Sequence, residues 1–270
     1  MSTPAIPPIL LVGGGRMGGA LLAGWRERGL APSVVVDPAP EAARLAGPDL
    51  QVVATEAAIP PGFTPAAVVL AIKPQVVAAS LPAYAGRVGA AVVLSIMAGR
   101  TIGGLRALLG PGAAVVRAMP NTPAAIRQGV SVACPGPGVT PAQRALCGSL
   151  LDAIGAVAWV DDEALLDPVT AVSGSGPAYV FLLAELLEQA AVEQGIPPDL
   201  ARLLARQTVA GSGALLAAST DDAAALRRAV TSPGGTTERA LEVLMAPAAW
   251  PAALARAVDA ATRRSRELAG

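Results

Sequence analysis

Short, uninterrupted apolar runs punctuate the first 120 residues. Residues 9–13, 34–37, 50–54, 67–72, 91–96 and 114–118 are each of strand length and rich in apolar, mostly β-branched side chains. Most are separated by Ala, Leu and Arg stretches with helical spacing. The first of these, residues 17–28, places Met17, Leu21, Leu22 and Trp25 on one face. Continuous rather than alternating apolarity means burial on both faces, as in a parallel sheet covered by helices. The strand–helix alternation predicts a doubly wound α/β fold.

Near residue 160 the texture changes. From there on no strand is predicted, and helical patterns run at roughly 162–171, 177–194, 198–218, 222–230, 236–246 and 248–268. Pro197-Pro198, Ser232-Pro233-Gly234-Gly235 and Pro247 separate them. The expected division is therefore an α/β domain over 1–160 and an all-α domain over 161–270. The helical part is rich in Leu and Ala and too small for a private core. Pairing of two subunits through these helices is the physical expectation.

Composition removes several function classes. The 20 basic and 20 acidic residues cancel, and no segment is strongly basic, so a nucleic-acid partner is not expected. Apolar residues make up 53% of the chain, which raises the question of a membrane. The longest uncharged apolar stretch, 168–184, carries Gly174, Gly176 and Pro177 and falls short of the ~18 clean apolar residues of a spanning helix. The N-terminus shows no basic region and signal-type apolar run. The expectation is a soluble cytoplasmic protein. There is no histidine, which excludes His triads, His bases and His-ligated zinc. Cys134 and Cys147 are too few for an all-cysteine zinc site and are not spaced as a redox pair, so they read as small core residues and no metal is expected.

Gly13-Gly14-Gly15-Arg16-Met17-Gly18 fits Gly-x-Gly-x-x-Gly, a weak signal in a chain with 29 glycines. Its context strengthens it. It follows the first strand, opens an amphipathic helix and precedes Asp37 at the end of the second strand, which is the layout of a dinucleotide site. The glycines admit a pyrophosphate to the backbone, and the helix N-terminus supplies free N–H groups. Asp37 reads either as the acceptor for the adenosine ribose hydroxyls, favouring NAD, or as an ordinary Asp-Pro turn starter. Ala71-Ile72-Lys73-Pro74-Gln75 closes the fourth strand, where a cofactor should sit. Lys73 is the only lysine among 20 basic residues, which suggests a place where arginine does not fit. Ser95-Ile96-Met97-Ala98-Gly99 and Met119-Pro120-Asn121-Thr122-Pro123 are further candidate loops.

Val172-Ser173-Gly174-Ser175-Gly176-Pro177-Ala178-Tyr179 and Val230-Thr231-Ser232-Pro233-Gly234-Gly235-Thr236-Thr237 each lead into a helix. Small hydroxyl residues and glycines before a helix N-terminus suit a carboxylate ligand, although each taken singly is also routine punctuation. Together and in this order, with Ala-Ile-Lys-Pro-Gln and Met-Pro-Asn-Thr-Pro, these motifs resemble the pyrroline-5-carboxylate reductase family over residues 8–268. The resemblance implies an N-terminal Rossmann domain followed by an all-α C-terminal dimerisation domain, with a homodimer that can build rings of dimers. It implies NADPH or NADH as cofactor and the imino acid pyrroline-5-carboxylate as substrate, reduced to proline. By resemblance, Gly13, Gly15, Arg16, Met17, Gly18, Asp37, Thr55, Ala71, Lys73, Pro74, Ala98 and Ser175 match cofactor positions. Glu163, Ser232, Gly234, Gly235, Thr236 and Thr237 match substrate positions, and Thr237 is the residue expected at the reacting nitrogen. Asp37-Pro38 replaces the small or hydroxyl residues common in NADP-preferring members, which leaves the cofactor choice open. Two other readings remain at this point. A related β-hydroxy-acid dehydrogenase would need a lysine in the second domain, and residues 160–270 contain none. A non-catalytic dinucleotide-binding dimer is the other, and the intact 231–237 motif speaks against it.

Overall fold

The computed structural model describes residues 6–269; the first residues of the N-terminal stretch read above for a targeting signal lie outside them. Eight strands form one sheet: β1 (Ile9–Val12), β2 (Ser33–Val36), β3 (Leu50–Val53), β4 (Ala67–Leu70), β5 (Val92–Ser95), β6 (Val115–Met119), β7 (Gly129–Pro135) and β8 (Gly155–Trp159). Their order is β3-β2-β1-β4-β5-β6-β7-β8. The first six run parallel, β7 turns back antiparallel to β6, and β8 pairs parallel with β7. Connections on the sheet include α1 (Arg16–Glu27), the single turns α2 (Val77–Ser80) and α3 (Ala85–Val88), α4 (Ile102–Leu109) and α5 (Pro141–Asp152).

All six runs predicted as strands form strands. Successive side chains leave opposite faces. Leu11, Val35, Val69 and Leu94 join one core, while Leu10, Val12, Val34, Val36, Val68, Leu70 and Val93 join the other. Burial on both sides is what made these strands continuous apolar runs. The pattern did not predict β7 and β8. Gly129, Ser131 and Pro135 interrupt the first, and β8 alternates between partly covered and exposed residues, so neither produces such a run. Trp25, wholly buried, ties α1 to α5 through an Nε1–H donated to the Leu150 carbonyl at 2.9 Å.

After β8 the chain winds through a 3-10 turn (Glu163–Leu165), α6 (Leu166–Val169) and a π turn (Thr170–Gly174). Then follow α7 (Gly176–Glu193), α8 (Pro198–Ala218), α9 (Ala223–Ala229), α10 (Thr236–Leu244) and α11 (Trp250–Ala269), within a few residues of the predicted helices. The chain forms two compact units, one running to Gly174 and taking back the end of α11 from Ala261, the other Ser175–Ala260. This division differs from the expected one at 160/161. Leu166 and Ala171 are fully buried, and the Ser265 hydroxyl donates to Asp167 Oδ1 at 2.7 Å inside the first unit. Helical periodicity alone does not say which core a helix joins.

In the second unit, helix α7 has no buried residue. Val180, Phe181, Leu182 and Leu186 on α7, with Leu200, Leu203 and Leu204 on α8, are all at least 44% exposed. By length and composition the segment Glu163–Glu193, which contains an 18-residue window of mean hydropathy 1.3, could cross a membrane; its first third is the broken 3-10/α/π stretch that includes Pro168.

Candidate active site

The glycine loop sits where β1 hands over to α1. Gly13 adopts φ +99°, and its N–H donates to the Val36 carbonyl at 2.9 Å. A Cβ there would lie 2.6 Å from the Ala71 carbonyl oxygen, so only glycine suits both the turn and the contact. At Gly18 a Cβ would lie 2.1 Å from the Gly13 carbonyl oxygen; its absence lets the helix start press onto the strand. Gly15, by contrast, faces open space and is the N-cap of α1 with no side-chain cap. The first-turn N–H groups of α1 therefore have no intrahelical acceptor. An open, donor-rich, positively polarised terminus fits the pyrophosphate of a dinucleotide.

Asp37 follows β2. Its Oδ2 accepts the Gly14 N–H at 2.7 Å and its Oδ1 accepts the Ala39 N–H at 2.9 Å. The carboxylate acts as the turn starter and is held in place beside the glycine loop. Thr55 lies just past β3, exposed, at the start of a short 3-10 turn. Met17, Ala71, Ile72, Lys73, Pro74, Ile96, Met97 and Ala98 line a cleft of about 260 Å3 at the carboxyl ends of β1, β4 and β5, where α/β sheets bind ligands. Lys73 is exposed and has no polar partner among the described residues. Arg100 Nη2 donates to the Pro74 carbonyl at 2.5 Å, joining two walls of the cleft. A larger depression of about 570 Å3, lined by Ser33, Asp49, Gln51 and Phe63 among others, opens at the amino ends of β2 and β3. That is the wrong end of the sheet for a nucleotide.

The residues expected to bind the imino acid divide between the two units. Glu163, in the first, is held: its Oε1 accepts the Ile102 N–H at 2.8 Å and Arg117 Nη1–H at 2.9 Å, while its Oε2 has no partner among the described residues. Arg117, with a side chain only 5% exposed, was missed by the sequence reading. The available signal was a charge inside the apolar run 114–118, since a buried guanidinium requires an acceptor. In the second unit, Ser175 stands at the foot of α7. The loop before α10 folds on itself: the Gly234 N–H donates to Glu238 Oε2 at 2.8 Å, and the Gly235 N–H to the Ser232 carbonyl at 3.0 Å. Those two amides are engaged. The donors left at the uncapped start of α10 are the Thr236, Thr237 and Glu238 N–H groups, and neither the Ser232 nor the Thr237 hydroxyl has a partner among the described residues.

Both cysteines are buried. Burial pushes the Cys147 thiol from its ordinary value of 9.0 up to about 12. Cys134 is also raised, by burial first and then by the carboxylates of Glu163, Asp161 and Asp162. Thiolates are the reactive form. The folded protein is therefore expected to resist a thiol reagent at pH 8 and to show two reactive thiols once unfolded in urea; rapid labelling of the native protein would contradict the burial. The Cys147 shift also couples to stability. The unfolded thiol loses its proton above about pH 9 while the folded one keeps it, so this contribution is complete below pH 9 and is lost as pH rises toward 12.

Comparison with known proteins agrees with this architecture. Residues 163–268 match the family model for pyrroline-5-carboxylate reductase dimerisation, and residues 8–99 match the model described as NADP oxidoreductase, coenzyme F420-dependent. The pyrroline-5-carboxylate reductase of Pseudomonas aeruginosa is 40% identical over 273 residues, covering 100% of this chain and 98% of that one. A solved pyrroline-5-carboxylate reductase from Coxiella burnetii superposes with a TM-score of 0.89 at 30% identity, covering 98% of this chain and 99% of the other. The Plasmodium falciparum pyrroline carboxylate reductase, solved with NADP bound, gives a TM-score of 0.83 at 25% identity over 98% and 99% of the two chains. With a Rossmann sheet carrying an open glycine cradle and a helical second half, the chain belongs to the pyrroline-5-carboxylate reductase family.

Proposed function

We propose that the chain performs its family's reaction, reduction of the C=N bond of pyrroline-5-carboxylate to proline, with the residue roles that follow. NADPH or NADH supplies the hydride when bound. Gly13, Gly15, Arg16, Met17 and Gly18 hold the pyrophosphate at the start of α1, and Asp37 and Thr55 flank the adenosine side. Ala71, Lys73, Pro74 and Ala98 line the cleft for the reacting ring; Ser175 is a cofactor position by resemblance alone. Lys73, as a compact and unpaired cation, adds positive potential to a cleft that receives an anionic cofactor.

For the substrate, the N–H groups of Thr236 and Thr237 and the Ser232 hydroxyl bind the carboxylate at the positively polarised start of α10. Gly234 and Gly235 contribute the shape of the turn rather than donors, because their N–H groups are engaged within it. The free Thr237 hydroxyl is the observation that carries the assignment. It orients the ring nitrogen, or a water bonded to it, so that the nitrogen carries a proton as the neighbouring carbon accepts the hydride. A threonine hydroxyl is too weak an acid to be the bulk proton source. Glu163, fixed by Arg117 and the Ile102 N–H, keeps one carboxylate oxygen unpartnered, and the family resemblance makes it a substrate contact. Thr237→Val keeps the side-chain shape and removes the hydroxyl. It should lower kcat/KM for the imine roughly 10- to 100-fold, the worth of one hydrogen bond to a charged group, with Thr237→Ser recovering most of the loss. Wild-type kinetics in the valine variant would remove Thr237 from the site.

The exposed apolar faces of α7 and α8 are proposed to pair two subunits as a soluble, cytoplasmic homodimer. Light scattering should return at least twice the 26.7 kDa chain mass; a monomer in dilute buffer would rule this out.

A further inference from the structure

We propose that this chain selects NADH over NADPH, and that the segment Asp37–Glu41 enforces the choice. The inference rests on the dinucleotide site described above and concerns only its adenosine end. The two cofactors differ there by one group, a 2′-phosphate in place of a ribose hydroxyl. A site that takes the phosphate needs free donors or cations, whereas one that takes the hydroxyl needs an acceptor.

The structure supplies the acceptor, and over residues 38–40 it leaves no free N–H. Asp37 cannot easily turn aside, because each carboxylate oxygen is held by a backbone N–H, Gly14 at 2.7 Å and Ala39 at 2.9 Å. Each oxygen keeps a further lone pair for a ribose hydroxyl. Beyond Asp37 the chain reads Pro38-Ala39-Pro40-Glu41. The two prolines have no N–H to offer, and the single N–H between them, on Ala39, is already given to Asp37. Glu41 adds a second acid in the first turn of the 3-10 helix Pro40–Leu45. On the other wall, Leu45 packs against Gly14: a Cβ on that glycine would lie 2.6 Å from Leu45 Cδ1. The cations nearest in sequence are Arg16 and Arg44, both exposed and without a partner among the described residues. An exposed, solvated guanidinium offsets little of the repulsion from a fixed carboxylate. A 2′-phosphate would thus meet two acids and an N–H already in use.

Binding tests this without any imine. NADH and NADPH are titrated separately into the full-length protein by calorimetry, and AMP and 2′-phospho-AMP are compared as competitors of NADH. NADH should bind at least about tenfold more tightly than NADPH, and AMP should compete better than its phosphorylated form. In Asp37→Asn, which keeps a side-chain oxygen but not the charge, NADPH should gain roughly tenfold while NADH weakens. Arg44→Ala should change NADPH affinity by less than about twofold. Equal or tighter binding of NADPH by the wild type would overturn the proposal, as would a large loss of NADPH affinity in Arg44→Ala. If Asp37→Asn does not fold, the competition between AMP and 2′-phospho-AMP on the wild type still decides. Because no substrate is present, a failure of imine reduction and a failure of this selectivity are read separately.

Discussion

Gly18→Ala is expected to destroy dinucleotide binding and to destabilise the fold, although alanine is the better helix former. Propensity favours alanine over glycine inside a helix by ~1 kcal/mol. Against that, the new methyl would stand 2.1 Å from the Gly13 carbonyl oxygen and 3.3 Å from Ala71 Cβ. Neither neighbour has room to move. Gly13 is pinned by its bond to the Val36 carbonyl and by its own close approach to Ala71. Overpacking of this kind costs about 1–3 kcal/mol where side chains can adjust, and here the obstacle is backbone, so the clash prevails. Relief requires α1 to back away from β1, carrying the first-turn N–H groups off the pyrophosphate position. Titration with NADH should show affinity reduced by at least about a hundredfold, that is roughly 2.7 kcal/mol, together with a lower melting temperature. A variant that melts higher and binds normally would mean that the helix start is not pressed against the strand.

Trp25→Ala should give the largest loss of stability of any single truncation in the first unit. Trp25 is wholly buried between α1 and α5, in a core it shares with Leu21, Leu22, Leu150 and Ile154. Truncating a buried Trp costs about 3–5 kcal/mol in transfer and cavity terms. The Leu150 carbonyl would also lose the indole N–H at 2.9 Å. Urea denaturation should report a loss in that range. Trp25→Phe fills most of the volume and forfeits mainly the hydrogen bond, so its cost should fall near 1–3 kcal/mol. A loss under 1 kcal/mol for the alanine variant would contradict the packing described for α1.

How much of this was legible from the residues depends on which forces left a pattern. The parallel strands were legible because burial on both faces calls for apolar side chains at successive positions, as in Val34-Val35-Val36 and Val92-Val93-Leu94. The tight glycine turn between β1 and α1 was legible because Gly13 and Gly18 make close backbone contacts that any side chain would break. Strands β7 and β8 were not. They are laid down by pairing with β6 and with each other, and pairing leaves little trace in small residues such as Gly129, Ser131 and Ala156. The clamp of Arg117 and the Ile102 N–H on Glu163 spans 46 and 61 residues of chain, a relation that no local motif encodes. Nor did the Gly-Gly-Thr-Thr signature reveal that two of its amides are used inside the turn. That depends on Glu238 reaching back one helical turn to the Gly234 N–H.

The most direct test of the central claim is to follow NADH and NADPH oxidation, in parallel, with racemic pyrroline-5-carboxylate and to identify the product. Turnover should consume one reduced cofactor per proline formed and run faster with NADH at low cofactor concentration. Tight cofactor binding without oxidation of either cofactor, or oxidation without proline, would contradict it.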